Sequence, residues 1–366
     1  MSKFLLPSFF LFFLISLSAC QNKSEEYVCP PCNLACDSKT FPNLGICPVC
    51  RMTLIHKSDL PEVSSIDEVG DINIQLGSGS FLIEGGKEKE EKIIEVFYHK
   101  PENHQSDSPI LIVVPGAGRN GDSYRDAWIE ASEEYGVLIL SPMYPEEDYE
   151  FGDYHLCGLM YDLALENSLE YVENSNVVKL DEEKFAYQVN SQSDQWIFQD
   201  FDRLFKLVVD TLGSSQTQYD IFGHSAGGQI LHRMAVFHPN SKARRILASN
   251  SGFYTLPDFD TALPFGLQNS SLDETQLKET FKANLVLFIG ELDNQDEQGG
   301  TLLRSPTVDQ QGTHRLERGQ YFYNFGQRKA ETMKTEFNWQ IEIVPSIGHD
   351  QRKMGAAAAK YLYETN

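Results

Sequence analysis

Basic side chains are scarce. Lys and Arg number 30 against 53 Asp and Glu in 366 residues, a formal net charge of -23. Nucleic acids and anionic polymers are held by clustered cations, so this deficit argues against both as partners. Long apolar runs are scarce too. Phe4 to Leu17 is shorter than the ~20 residues of a comfortable transmembrane helix. No internal repeat is evident. Cysteine thins out along the chain: of seven, only Cys157 follows Cys50. The long C-terminal region therefore has no disulfide partner for Cys157 within itself, and a buried thiol is expected. What the chain does have is core material. A hydrophobic content of 41% and an aromatic content of 11% exclude global disorder. The length suits one large α/β domain plus something small.

Lys3 supplies a short positive region ahead of the apolar run, and Leu17-Ser18-Ala19-Cys20 closes it with small residues. Residues 1–19 thus read as a signal peptide. The closing tetrapeptide resembles a bacterial lipobox, which implies cleavage before Cys20 and lipidation of its thiol. Gln21 stands where Asp is linked to inner-membrane retention. The resemblance therefore implies an exported, lipid-anchored protein in the outer membrane, facing the periplasm or the cell surface. An ordinary secretory signal with an incidental cysteine is the alternative.

Residues 20–57 form a cysteine-rich module. Cys29-Pro30-Pro31-Cys32 and Cys47-Pro48-Val49-Cys50 are two C-x-x-C knuckles. Two such turns can complete a tetrahedron of thiolates around Zn²⁺ at ~2.3 Å. So short a segment cannot build an adequate core alone and needs a metal or disulfides. It resembles the heavy-metal-binding domains found near metal-efflux proteins, through Tyr27, Cys29-Pro30, Gly45, Cys47-Pro48, Cys50, Met52 and Leu54. It departs from them in Cys32, where many have His, in Arg51, where Gly is common, and in the extra Cys36, a possible further ligand. Zinc or another soft metal on Cys29, Cys32, Cys47 and Cys50 is expected. Disulfides are the competing reading, in an oxidising compartment, although five cysteines leave one unpaired. Residues 58–70, polar and containing Pro61, read as a linker.

From residue 71 to 366, strand and helix patterns alternate. Ile93–Tyr98, Ile110–Val114, Val137–Leu140, Tyr219–Phe222, Arg245–Ala248, Leu285–Ile289 and Trp339–Val344 read as strands. Asp194–Leu212, Ala226–Phe237, Gly319–Thr335 and Lys353–Tyr363 read as helices. Such alternation predicts an α/β domain with a mostly parallel sheet covered on both faces. Residues 143–193, rich in Tyr, Glu and Asp, interrupt it. An insertion of that length reads as a lid or as a surface excursion.

Gly223-His224-Ser225-Ala226-Gly227 lies between an apolar strand and a helix. The bare G-x-S-x-G pattern arises by chance in about one chain in ten of this length. A serine on a strand-to-helix turn is a narrower case, because its hydroxyl stands clear of the sheet. Such a serine needs a base, and the base needs an orienting acid, in the order Ser, acid, His. Asp293 follows the apolar run Leu285–Ile289, and His349 follows the strand after it. Both positions lie where active sites of open α/β sheets lie. Asp296 is the second choice of acid and Glu291 the third. Asp350 is too close in sequence to orient the ring, and His224 is expected to pack beside the turn. Pro115-Gly116-Ala117-Gly118-Arg119-Asn120-Gly121, directly after a strand, leaves backbone N–H groups free. Ala117 and Ala226 are the expected oxyanion donors; losing one such donor typically costs ~2.7–4 kcal/mol of barrier.

Residues from about 90 to 366 resemble an α/β-hydrolase, and more loosely the secreted esterases related to polyhydroxybutyrate depolymerases and feruloyl esterases. Pro115–Gly118, Gly223–Gly228, Asp293 and His349 carry the resemblance, with Pro115 where that family often has His. It implies the α/β-hydrolase fold and a catalytic triad of Ser225, Asp293 and His349. The expected activity is carboxylic-ester hydrolysis through an acyl-enzyme, with no cofactor for catalysis and a small or polymeric ester as substrate. Two alternatives remain: a serine peptidase on the same triad, and a metal-binding surface lipoprotein whose hydrolase domain is a non-catalytic scaffold. Trp196, Tyr144 and Tyr149 either line the acyl site or belong to the core.

Overall fold

The computed structural model describes residues 26–29, 39–43, 45, 47–48, 54–57 and 69–364. The signal peptide, Cys20, Cys32, Cys36, Cys50 and linker residues 58–68 lie outside the described residues. In the N-terminal segment, β1 (Tyr27–Val28) pairs antiparallel with both β2 (Thr40–Phe41) and β3 (Ile55–His56).

The main domain begins with β4 (Gly77–Glu84), β5 (Ile93–Lys100), β6 (Ile110–Val114), α1 (Gly121–Asp126), α2 (Ile129–Tyr135) and β7 (Leu138–Met143). An insertion follows, with α3 (Phe151–Tyr154), β8 (Met160–Tyr161), α4 (Leu165–Ser168), β9 (Leu169–Tyr171), β10 (Val177–Leu180) and β11 (Gln188–Val189). Then come α5 (Phe198–Leu212), β12 (Tyr219–His224), α6 (Ala226–Phe237), β13 (Ala243–Ser249), α7 (Glu274–Thr280) and β14 (Leu285–Gly290). The chain ends with β15 (Leu302–Arg304), α8 (Arg315–Met333), β16 (Gln340–Val344) and α9 (Gln351–Tyr363).

Eight of these strands form one sheet in the order β16-β14-β13-β12-β6-β7-β5-β4. All pairings from β16 to β7 are parallel, and those of β5 with β7 and β4 are antiparallel. The uninterrupted apolar run of β6 is what a central strand buried on both faces requires. Its residues alternate between two cores. Ile110, Ile112 and Val114 face the core shared with α5, α6 and α8, while Leu111 and Val113 face the one shared with α1 and α9. From β6 the chain runs to β7 on one side and later returns to β12 on the other. This switch point opens a crevice at the strands' C-terminal ends.

Two local patterns differ from expectation. Strand β4 opens with Gly77-Ser78-Gly79-Ser80, which has no strand-like periodicity. It pairs because the Tyr98 ring of β5 lies over Gly79, where a Cβ would come 2.5 Å from the Tyr98 hydroxyl. Helix α8 starts at Arg315 rather than Gly319. Gly319 is a mid-helix contact, since a Cβ there would overlap the Ile289 side chain of β14.

The insertion is a built structure. β10 pairs antiparallel with β9 and parallel with β15, and β8 pairs with β11. Among the described residues, no helix is long and apolar enough to cross a membrane.

Candidate active site

Ser225 lies between the last residue of β12 and the first of α6, with φ 59° and ψ -115°. A non-glycine residue there typically costs ~1–3 kcal/mol, which the surroundings must offset. Two glycines make the turn sterically possible. A Cβ on Gly223 would lie 2.5 Å from the Gly227 carbonyl oxygen, and one on Gly227 would overlap the Val114 carbonyl. The Ser225 N–H donates to the Ser249 carbonyl at 2.9 Å, tying the turn to the end of β13. Behind it, the first turn of α6 presents N–H groups with no partner in the helix.

The loop after β6 comes within contact of this turn. A Cβ on Gly116 would lie 3.5 Å from the Ser225 Cβ. Neither Ala117 N–H nor Ala226 N–H has a hydrogen-bond acceptor among the described residues. The loop is held from behind by the start of the insertion. Arg119 Nη1 donates to the carbonyls of Tyr144 (3.2 Å) and Tyr149 (2.5 Å), and its guanidinium lies 4.8 Å from the Tyr154 ring centre. The Tyr154 hydroxyl donates to the Pro115 carbonyl at 2.7 Å. Tyr144 and Tyr149 are thus buried supports of the loop, and Trp196 packs on Phe198 and Phe237. All three belong to the core.

Asp293, in the turn after β14, is fully buried at 0% exposure. Its Oδ2 accepts from His349 Nδ1 at 2.8 Å and from Asn250 Nδ2 at 2.6 Å. Its Oδ1 accepts from Arg315 Nη1 at 3.0 Å. Burial opposes ionisation of this carboxyl, yet His349, Arg315 and Asn250 together hold its pKa below the usual carboxylate range. Since a carboxylate can only accept, His349 carries its proton on Nδ1 and leaves Nε2 free to act as an acceptor. Burial lowers the His349 pKa first and the Arg315 cation lowers it further, against the opposing pull of Asp293. The ring is therefore neutral near pH 7.

Neither the second- nor the third-choice acid bonds the His349 ring among the described residues. Glu291 accepts from the Ser346 N–H at 2.9 Å, and Asp296 sits in an exposed turn where its own N–H meets Asn294. Asp350 accepts from Arg352 N and Lys353 N and caps α9. His224 packs beside the turn as expected, its ring centre 4.5 Å from that of His349. Burial first, and then the neighbouring His349, push its pKa well down.

Three residues of the site escaped the sequence reading. Arg315 and Asn250 flank the carboxylate. Glu297 accepts from the backbone N–H groups of His349 (2.7 Å) and Gly299 (2.6 Å), fixing the histidine loop. Asn250 directly follows β13, so the post-strand rule that found Asp293 could have found it. Nothing in the sequence pointed to Arg315.

In the N-terminal segment Cys29 and Cys47 are both buried. Among the described residues, no three potential ligands cluster into a metal site.

No family model and no curated protein matches the chain. Many solved structures do, among them the following two. Poly(aspartic acid) hydrolase-1 from Sphingomonas sp. KT-1 is 31% identical, with a TM-score of 0.66 over 80% of this chain and 100% of that one. LpqC, the poly(3-hydroxybutyrate) depolymerase from Bordetella parapertussis, is 25% identical, with a TM-score of 0.67 over 79% of this chain and 91% of that one.

Proposed function

The chain belongs to the α/β-hydrolases, and from that premise we propose that it is a serine hydrolase cleaving carboxylic esters through an acyl-enzyme. The observation that carries this is the Ser225 turn. A non-glycine residue is held at φ 59° between two obligatory glycines, facing a crevice that also holds a buried Asp293–His349 pair. Such a conformation persists only where its surroundings over-determine it.

The proposed steps are as follows. Ser225 Oγ bonds to the ester carbonyl carbon while its proton passes to His349 Nε2. The carbonyl oxygen, now an anion, is held by the Ala117 and Ala226 N–H groups. The carbon–oxygen bond to the alcohol then breaks, and His349 gives its proton to the departing oxygen. Water attacks the acyl-enzyme by the same route in reverse, the bond to Oγ breaks, and the acid leaves. Asp293 stays ionised throughout, orienting and stabilising the imidazolium. No cofactor enters.

The two similar structures are named for hydrolysis of polymers, which favours a polymeric substrate. The name of the first also keeps a second reading in play, an amidase on the same triad; comparable rates on matched amide and ester substrates would favour it. Ser225→Ala tests the main reading. Hydrolysis of p-nitrophenyl butyrate is expected to fall by at least ~10⁴-fold, with loss of fluorophosphonate labelling. Hydrolysis that is absent in the wild type, or unchanged in the variant, overturns it.

Two expectations about the N-terminus stand beside it. Cys20 carries a lipid that anchors the enzyme, checked by mass spectrometry of the mature N-terminus. The cysteine-rich module holds zinc or another soft metal on Cys29, Cys32, Cys47 and Cys50. The burial of Cys29 and Cys47 in a segment too small for a core supports this, and elemental analysis of the non-reduced protein checks it.

A further inference from the structure

A second serine–histidine–carboxylate array lies outside the Ser225 crevice, on the antiparallel side of the sheet. Ser78 of β4 stands directly opposite His99 of β5 in the strand register. Its Oγ lies 2.8 Å from His99 Nδ1, and His99 Nε2 lies 2.7 Å from Glu133 Oε1 on α2. Glu133 Oε2 also accepts from the Glu102 N–H at 3.2 Å. The bond from His99, first among the causes, holds the Glu133 carboxyl below its ordinary pKa, so it is ionised near neutrality. An ionised carboxylate only accepts, so His99 carries its proton on Nε2 and Nδ1 is left as an acceptor. The Ser78 hydroxyl therefore donates to Nδ1.

This is the polarity of an activated nucleophile: a hydroxyl paired with a base whose other nitrogen is held by an acid. The ring nitrogens are used in the opposite sense from those of His349, whose Nδ1 faces the carboxylate. Access differs too. His99 is buried, whereas Ser78 is exposed and β4 is the edge strand of the sheet. Gly77 and Gly79 flank Ser78, so neither chain neighbour brings a side chain that could crowd the hydroxyl. The Ser78–His99 bond alone would tie the two strands. Glu133, brought from a helix, adds the charge that stabilises an imidazolium once the hydroxyl proton has moved. Because the hydroxyl stands in water, solvent must support the developing oxyanion. The array therefore suits acyl groups that carry a good leaving group rather than plain alkyl esters.

We infer that Ser78 is a second acylation site, taking an acyl group from an activated donor of the aryl-ester or thioester class. Ser78 Oγ bonds to the acyl carbon while its proton passes to His99 Nδ1. The bond from that carbon to the leaving oxygen or sulfur breaks, and the leaving anion takes the proton from Nδ1. The product is an ester on Ser78, formed once per chain without turnover. This inference stands apart from the serine-hydrolase reading, so either can fail alone. The test treats full-length Ser225→Ala protein with excess p-nitrophenyl butyrate and follows each site by peptide mass mapping. Ser80, also exposed on β4, is the internal control. Butyrylation of Ser78 is expected to outpace that of Ser80 by at least ~10²-fold, the lower range of general-base assistance. It is expected to drop to the Ser80 rate in folded His99→Gln. Glu133→Gln alters a half-exposed side chain and should slow Ser78 in the same direction; it decides the matter if His99→Gln does not fold. Butyryl groups spread evenly over Ser78, Ser80 and lysines would overturn the proposal. So would a Ser78 rate unchanged in the variants, which would leave the contact a tie between strands.

Discussion

Replacing Arg315 by Met tests how the Asp293–His349 pair is tuned. Methionine keeps much of the stem volume but removes the charge and two hydrogen bonds, Nη1 to Asp293 at 3.0 Å and Nη2 to the Thr301 carbonyl at 2.9 Å. Both ionic side chains are almost wholly buried, at 2% and 1% exposure. Removing one partner of a buried pair costs ~3–5 kcal/mol, because the other charge stays behind uncompensated. Asp293 retains Asn250 and His349 as donors, so the lower end, ~3 kcal/mol, is expected. At ~2–4 °C per kcal/mol for a domain of this size class, Tm falls by ~6–12 °C. The catalytic effect has a definite sign. Arg315 lowers the His349 pKa, and in the proposed mechanism the unprotonated ring is the base. Without the cation that pKa rises, so the acid limb of kcat/KM against pH moves to higher pH. Arg315→Lys keeps the charge while giving up the two-pronged contact. It should leave the limb near the wild-type position at an intermediate Tm. An acid limb in folded Arg315→Met that stays in place or moves down would refute the electrostatic role, as would identical limbs in the Met and Lys variants.

Two further outcomes follow from buried groups. Burial, then the Arg119 and Arg233 cations, lower the His155 pKa from 6.5 to about 3. The unfolded chain takes up a proton below its pKa of ~6.5 where the folded one does not, so stability falls as pH drops. At pH 5 this one residue accounts for ~2 kcal/mol of loss. Urea unfolding of His155→Gln at pH 7 and pH 5 should show that much less acid sensitivity than the wild type, and equal sensitivity would contradict the burial argument. Burial pushes the Cys157 thiol up to about 12, leaving almost no thiolate for alkylation. Iodoacetamide at pH 8 should leave the Cys157 peptide unmodified in the native protein and label it in urea; native labelling would place the thiol at the surface.

The parts of this molecule that were legible in the sequence obey local rules. β6 and β14 are continuous apolar runs because each is buried on both faces, and these strands, like the buried β12, run into candidate site residues at their C-terminal ends. That single geometric rule located Gly116 and Ala117 after β6, Ser225 after β12 and Asp293 after β14, with His349 after β16. The rule reads only position along the chain, so it needs no knowledge of contacts.

The illegible parts are those set by partners distant in sequence. Arg315 lies at the start of a helix, where a cation opposes the helix dipole. What justifies it there is the Asp293 carboxylate, which reaches it only in the folded sheet. The insertion shows the same dependence. Its strands are two to four residues long, too short for periodicity to declare them. β10 is stabilised by β15, more than a hundred residues on, and by the Gly300 carbonyl that Asn176, just ahead of the strand, holds. Tyr144 and Tyr149 show how this misleads. Aromatics near a catalytic loop read equally well as pocket or core, and the choice turned on Arg119, whose guanidinium reaches their carbonyls. The proposed nucleophile, base and acid were therefore visible from order alone, whereas the residues that tune the Asp293–His349 pair depend on pairings across the chain.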